Sequence, residues 1–279
     1  MTKLFVDCQY GIAGDMFLAA LIDLGADVDY ICTHLEALPI SHFSLGVETK
    51  VDQGIAAKHL VLSFGETQHE IGHQSYGSEQ AHSHSHIHDN EHSHDYSHHP
   101  LHDHDAHHHH HDAGHILAMI EDSCLPERVK ERSLALFREI ARAEAKIHGQ
   151  AIETVQFHEV GAMDSIIDII GVALALENLG VDDLVFSSVA TGYGKVHMAH
   201  GLYPIPAPAT AEILVGVPLN DFACQGELTT PTGAAFAKVL ANSYAESPSA
   251  VIEKIGYGAG TKAFDHPNIL RVMQVKKKK

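Results

Sequence analysis

The sequence predicts a mixed α/β (α+β) fold: one globular domain, residues 1–65 and 114–279, interrupted by a long, disordered, histidine-rich insert at 66–113. Three observations predict it. Strand-like and helix-like apolar patterns alternate along the chain. A hairpin signal at Asp52-Gln53-Gly54 adds antiparallel pairing to that alternation. Between Glu66 and His115 lies a segment with 18 of the 26 histidines and no Lys or Arg.

Taken in order, Leu4-Phe5-Val6 within Met1–Asp7 is a buried-strand pattern, and it reads as a strand rather than a signal peptide. The chain turns at Gly11 and Gly14 into an apolar helix from about Asp15 to Leu24. Phe43 to Lys50 and Ile55 to Phe64 are the two hairpin strands. Order resumes near Gly114, and Leu125 to His148 is a long amphipathic helix with Pro126 at its start and Gly149 at its stop. A second long helix runs from Met163 to Leu179, ending at Gly180. Leu184 to Ala190 is a strand, Ala207 to Val215 a short helix behind Pro204, Pro206 and Pro208, and Thr232 to Ala241 another. Strands near Ala250–Ile255 and Ile269–Val275 close the chain.

Composition excludes several classes. The formal net charge is −18, and the nine acids of the insert account for half of the excess. Apart from the last four lysines there is no basic stripe, so a nucleic-acid partner is not expected. No run approaches the roughly eighteen apolar residues of a membrane span. Cys8, Cys32, Cys124 and Cys224 are scattered without a CxxC, as in a reducing cytoplasm.

The insert points to a transition metal. Neutral imidazole is the commonest protein ligand for nickel, zinc and copper. Here His82, His84, His86, His88, His92, His94 and the run His107, His108, His109, His110, His111 supply it, with Asp89, Asp95, Asp103, Asp105 and Asp112 as interleaved oxygen donors. An expression tag is a clean terminal run, and a solubilising linker favours Ser, Gly, Glu and Lys; this tract is neither. Many overlapping weak sites suit storage or delivery better than catalysis. Affinity order ranks copper and nickel above zinc without naming the metal.

Three constellations outside the tract carry possible chemistry. Asp7 to Asp15 is a strand, a glycine turn with Gly11 and Gly14, and a helix start, where free N–H groups attract anions and the two carboxylates bracket a cation site. The competing reading is a plain turn with Asp15 as a cap. In Phe157-His158-Glu159…Asp164…Asp168, an imidazole and three carboxylates gather around the first turns of a helix, since positions four apart share a face. They suit a divalent metal or a proton transfer by His158 or Glu159; alternatively, Asp164 only complements the helix start. Thr229, Thr230, Thr232 and Gly233 put hydroxyls and amides at another helix start, suited to a phosphate or simply capping it. Gly192-Tyr193-Gly194-Lys195 with His197 and His200 is a weaker pocket signal.

Taken together and in this order, Asp7-Cys…Gly11-Ile-Ala-Gly14-Asp15, Phe157-His-Glu-Val-Gly-Ala-Met-Asp164, Pro204-Ile-Pro-Ala-Pro-Ala-Thr210 and Gly226-Glu-Leu-Thr-Thr-Pro-Thr-Gly233 resemble the LarC family of nickel-insertion proteins. The likeness covers essentially the whole chain, including the close Gly256-Tyr-Gly-Ala-Gly260…Pro267-Asn-Ile-Leu-Arg271. It implies insertion of Ni(II) into a pyridinium-3,5-bisthiocarboxylic acid mononucleotide, giving the nickel-pincer cofactor of lactate racemase, the expected recipient. Nickel is then held by sulfur, carbon and sulfur. The resemblance also implies CTP and a divalent cation, Mn or Mg, expected only through a C-terminal domain that lies beyond Lys279, whether fused or supplied in trans. On that basis His158 or Glu159 is the expected base. Asp7, Asp15, Asp164 and Asp168 are expected to hold the metal, and Gly11, Gly14, Thr229, Thr230, Thr232 and Gly233 the substrate. A flexible insert of that length spans roughly 40 Å, enough to carry metal to a site on its own domain. Two other readings remain: a nickel storage or delivery protein without catalysis, and a metal-dependent phosphate-ester enzyme.

Overall fold

The computed structural model of the protein describes residues 2–64, 112–157, 163–198 and 201–277, which belong to one compact unit. The expected disorder at 66–113 therefore lies outside the described residues, save for Asp112 and Ala113. The fold is mixed α/β around a seven-stranded sheet.

Strand β1 (Thr2–Asp7) leads into helix α1 (Gly14–Leu24), followed by α2 (Val28–Glu36). The hairpin β2 (Phe43–Asp52) and β3 (Ile55–Phe64) pairs in antiparallel register from Phe43↔Phe64 to Asp52↔Ile55, turning where Gln53 and Gly54 take positive φ. Helices α3 (Ala113–Glu121), α4 (Glu127–His148) and α5 (Met163–Asn178) come next. Then follow β4 (Val181–Phe186), the small antiparallel pair β5 (Lys195–Met198) and β6 (Gly201–Pro204), α6 (Pro208–Ile213) and α7 (Pro231–Val239). The last strands are β7 (Ser243–Tyr244), β8 (Ala250–Ala259) and β9 (Ile269–Lys277). The large sheet runs β2-β3-β8-β9-β1-β4-β7. β1 lies inside the sheet, parallel to β4 and antiparallel to the central strand β9.

Alternation along β1 divides the core. Leu4 and Val6 join the main cluster with the helices, whereas Phe5 packs with Val185, Met273 and Val275 in a separate small cluster. Helix α5 is buried almost all round (Ile166, Ile167, Ile169, Ile170, Val172, Leu174), as a central helix must be. Its N-terminal turn therefore approaches α1 at a fixed place. None of the described helices is long and apolar enough to cross a membrane.

Several elements differ from the sequence reading. The strand expected at Leu184–Ala190 is β4 at Val181–Phe186; beyond it Ser187 to Ala190 leave the sheet and bond to Val6, Cys8 and Pro218 carbonyls instead. Helices α2 and α3 were not anticipated. Each has a conventional aspartate cap: Asp27 accepts from the amides of Asp29 and Tyr30, and Asp112 from that of His115. In the sequence the histidine-dominated surroundings hid the Asp112 cap. The β5–β6 pair was also missed.

Candidate functional site: a cleft ringed by helix N-termini

Three helices begin at one cleft. Gly14 and Asp15 of α1, Asp164 and Asp168 of α5, and Thr230 and Thr232 at the start of α7 all line a cavity of about 730 Å³. His59 of β3, with Glu227, Lys262 and Asn268, completes its walls. Helix N-termini carry partial positive charge, so the cleft sets the positive ends of three helices beside carboxylates.

Backbone pairing sets this convergence. The turn after β1 closes with the Gly11 amide donating to Cys8 O (2.9 Å). Ile12 then clips onto the strand-like 228–230 segment: its amide donates to Leu228 O (3.0 Å), and its carbonyl accepts from the Thr230 amide (3.2 Å). Thr229 is fully buried; its hydroxyl donates to Ala190 O (2.6 Å) and accepts from the Ile12 amide (3.3 Å). Thr230 caps α7 by accepting from the Gly233 amide at 3.1 Å. The starts of α1 and α7 are thereby held side by side.

Electrostatics is dominated by acids. Burial pushes the Asp168 carboxyl well above the usual carboxylate range, and the charges of Asp15 and Asp164 push the same way. Its Oδ1 is buried without a hydrogen-bond partner. Asp15 is also raised by burial, an effect opposed by the Met16 amide and by His59, which favour its charged form. Asp164 is exposed and accepts from the Ser165 amide at 2.8 Å. His59 Nδ1 lies 3.1 Å from the Ala259 carbonyl. A carbonyl only accepts, so Nδ1 carries the hydrogen, and in the neutral ring the lone pair is then on Nε2. Among the described residues no three His, Cys, Asp or Glu side chains are gathered into a ready coordination group. The carboxylates form walls of a site that a ligand would have to complete.

The structure distributes the sequence-expected residues unevenly. Gly14, Asp15, Asp164, Asp168, Thr230 and Thr232 share the cleft. Gly11, Thr229 and Gly233 lie behind it as packing and clip residues: a Cβ at Gly11 would meet Leu228 O, and one at Gly233 would stand 1.9 Å from Ile12 O. Asp7 is paired with Arg271 across β1 and β9, away from the cleft lining. His158, Glu159 and His200, with the tract histidines from His82 to His111, lie outside the described residues. His197 reaches the cleft, but Lys195 does not. His59 and Lys262 were missed. Lys262 Nζ pairs with Glu227 Oε2 at 3.0 Å. In the sequence His59 is only one of three polar residues of β3, beside Lys58 and Ser63, and nothing there singles it out.

The mixed α/β domain thus turns three helix starts, the carboxylates of Asp15, Asp164, Asp168 and Glu227, and the imidazoles of His59 and His197 toward one cleft. Comparison with known proteins is more specific: the family model described as nickel insertion protein matches residues 4–279, and the chain belongs to that family. It is 50% identical over 275 residues to the pyridinium-3,5-bisthiocarboxylic acid mononucleotide nickel insertion protein of Staphylococcus epidermidis, covering 98% of this chain and 60% of that relative. The protein of the same description from Geobacillus kaustophilus is 43% identical over 274 residues, 98% of this chain and 59% of the relative. A putative nickel insertion protein of Geobacter metallireducens is 41% identical over 275 residues, 98% of this chain and 60% of the relative. The chain thus spans about 60% of the length of these curated relatives. No solved structure matches it.

Proposed function

We propose that the protein inserts Ni(II) into pyridinium-3,5-bisthiocarboxylic acid mononucleotide, as a metal-insertion enzyme of lyase type, with nickel and the mononucleotide as its substrates. The observation that carries this reading is the cleft itself, in which anion-binding helix starts and the acids Asp15, Asp164 and Asp168 face one another in a chain of the nickel insertion family. The substrate is a polyanion. Its phosphate suits the start of α7, where the Thr232 side chain lines the cleft, and Lys262, which can exchange Glu227 for the phosphate. The carboxylates of α1 and α5 hold the cation side, and Asp7 belongs to the set only through its place in the motif.

In the reaction the ring carbon between the two thiocarboxylates loses its proton. The C–H electron pair becomes the carbon–nickel bond, and both sulfurs ligate the metal. The motif on its own nominates His158 or Glu159 as the proton acceptor. The tract histidines from His82 to His111 gather nickel and raise its local concentration at the cleft, and they release it as pH falls toward about 5.5, where free imidazoles protonate. CTP with Mn or Mg acts through a further domain, fused or in trans. The product passes to lactate racemase in the cytoplasm.

The test combines the chain with that further domain, CTP, Mn, nickel and the mononucleotide, following the nickel-containing product by mass spectrometry. Product is expected from the intact chain and, at high nickel, from a variant lacking residues 69–111, which keeps the Asp112 cap of α3. Product from neither, with nickel still bound stoichiometrically, overturns insertion in favour of a nickel reservoir, the reading that the abundance of tract histidines supports.

A further inference from the structure

We propose that His59, rather than His158 or Glu159, is the base that takes the ring proton in the cleft. The inference rests on the nickel-insertion reading and deepens it.

Two imidazoles line the cleft: His197 on the two-stranded β5–β6 pair, and His59 on a strand of the large sheet. His59 sits on β3, directly opposite Glu48 of β2 in the hairpin register, and its neighbour Lys58 pairs with Gly258 of β8. A side chain on a strand paired on both edges is held more closely than one on a loop. The Ala259 carbonyl fixes the ring through Nδ1 at 3.1 Å. That bond leaves the lone pair of the neutral ring on Nε2, the arrangement that a general base requires. Among the described residues Nε2 has no hydrogen-bond partner, yet it is not sealed from solvent. The ring lines the same cleft as Asp15, Asp164 and Asp168, so the atom is available to a bound molecule.

The surroundings suit the proton transfer. The ring C–H bond breaks, its electron pair forms the bond to nickel, which stays divalent, and the proton passes to Nε2. The imidazolium that results shares the cleft with Asp15, whose charged form His59 favours, so the new positive charge forms in an acidic surrounding. Asp168 cannot compete through Oδ1, which is buried out of reach. Imidazole is the side chain that most often serves as a positioned general base.

The experiment uses the complete nickel-insertion system with saturating nickel and substrate carrying hydrogen or deuterium at the reacting ring carbon. Its variants are His59→Ala, His59→Asn, His158→Ala and Glu159→Gln. Asn keeps an amide donor near the position of Nδ1, so the Ala259 carbonyl stays paired and the fold is preserved. Both His59 variants are expected to slow product formation about 100-fold or more, the usual contribution of a positioned base. Nickel and mononucleotide binding should stay within about twofold, the deuterium effect should persist, and added imidazole should partly restore His59→Ala. Wild-type rates in His59→Asn and His59→Ala, with the loss falling on His158→Ala or Glu159→Gln, overturn the assignment. So does weakened nickel binding in proportion to lost rate, which makes His59 a ligand instead. No product from the wild-type system overturns the nickel-insertion reading itself, a different outcome from a wild-type system that works with a dispensable His59.

Discussion

The carboxylate of Asp168 lies directly over Gly14. A Cβ built on Gly14 would stand 2.4 Å from Asp168 Oδ2 and 2.7 Å from Asp168 Cβ. The close approach brings the starts of α1 and α5 together and so places Asp15 and Asp168 in one cleft. Two residues that are far apart in sequence are thus coupled by the absence of a methyl group.

Gly14→Ala tests that coupling. Helix propensity alone favours alanine by up to about 1 kcal/mol, and by less at a first-turn position. Overlap with Asp168 costs about 1–3 kcal/mol because either the side chain or a helix must move. Steric cost should win, giving net destabilisation in urea unfolding and a fall in nickel-product formation larger than the stability loss explains. Equal or higher stability with full activity would show that Asp168 moves aside freely and that its position is not fixed.

Asp168 itself should carry a stability cost. Its folded-state pKa is raised by burial and by Asp15 and Asp164. The native state therefore binds more protons than the unfolded chain between about 3.9, the ordinary Asp value, and the raised folded value. Stability from this group is fully present below that lower limit and is lost as pH rises through the folded pKa. Asp168→Asn, which cannot ionise, should be more stable than wild type at neutral pH, with the difference vanishing toward pH ~4. The same variant should lose metal insertion, a trade of function for stability common at active sites. Denaturant midpoints at several pH values read the first effect. A wild-type curve parallel to that of Asp168→Asn would mean that the carboxylate is not destabilised by burial.

Gly233 and Thr230 separate packing from capping at the start of α7. A Cβ on Gly233 would meet the backbone oxygen of Ile12 at 1.9 Å, and backbone cannot swing away as a side-chain tip can. Gly233→Ala should cost about 3 kcal/mol, at the upper end for overpacking, and reduce soluble folded protein. Thr230→Ala removes only the cap on the Gly233 amide and should cost about 1 kcal/mol. Thermal unfolding of both variants checks the order. A Gly233→Ala protein as stable as wild type but unable to bind the mononucleotide would restore Gly233 to the substrate site, as its motif suggested.

The sequence revealed elements with clean periodicity or punctuation: the Asp52-Gln53-Gly54 hairpin, α4 between Pro126 and Gly149, and the apolar α5. It hid α2 and α3, whose apolar stripes are short and whose caps, Asp27 and Asp112, sit among other acids and histidines. In the site, residues attached to helix starts were readable because glycines, acids and threonines before an apolar run have a local meaning. His59 had none. Its role depends on β3 lying beside β8, a neighbour from the far end of the chain, so that the Ala259 carbonyl meets Nδ1. Lys262 is likewise brought in from the loop between β8 and β9, where spacing predicts nothing.

Asp7 shows how a motif residue can take a structural part, and it can be tested against the cation role suggested by the Asp7–Asp15 bracket. The β1–β9 register sets Asp7 opposite Arg271, whose Nε donates to Asp7 Oδ2 at 3.0 Å, with Nη2 donating to the same oxygen. Asp7 is buried, and its Oδ1 has no partner, whereas the Arg271 side chain is 45% exposed. Removing the arginine leaves a buried charge unpaired. Arg271→Met should therefore cost about 1–3 kcal/mol, below the 3–5 kcal/mol of a fully buried pair because half of the guanidinium already sees water. Asp7→Asn should cost less, and the double variant should regain part of the loss, giving a coupling energy in a double-mutant cycle read by urea unfolding. If Asp7 instead holds the cation, Asp7→Asn should abolish nickel insertion at unchanged stability and show no coupling to Arg271. Product formation measured on the same four proteins decides between the two roles, because a structural pair makes activity follow stability and a ligand does not.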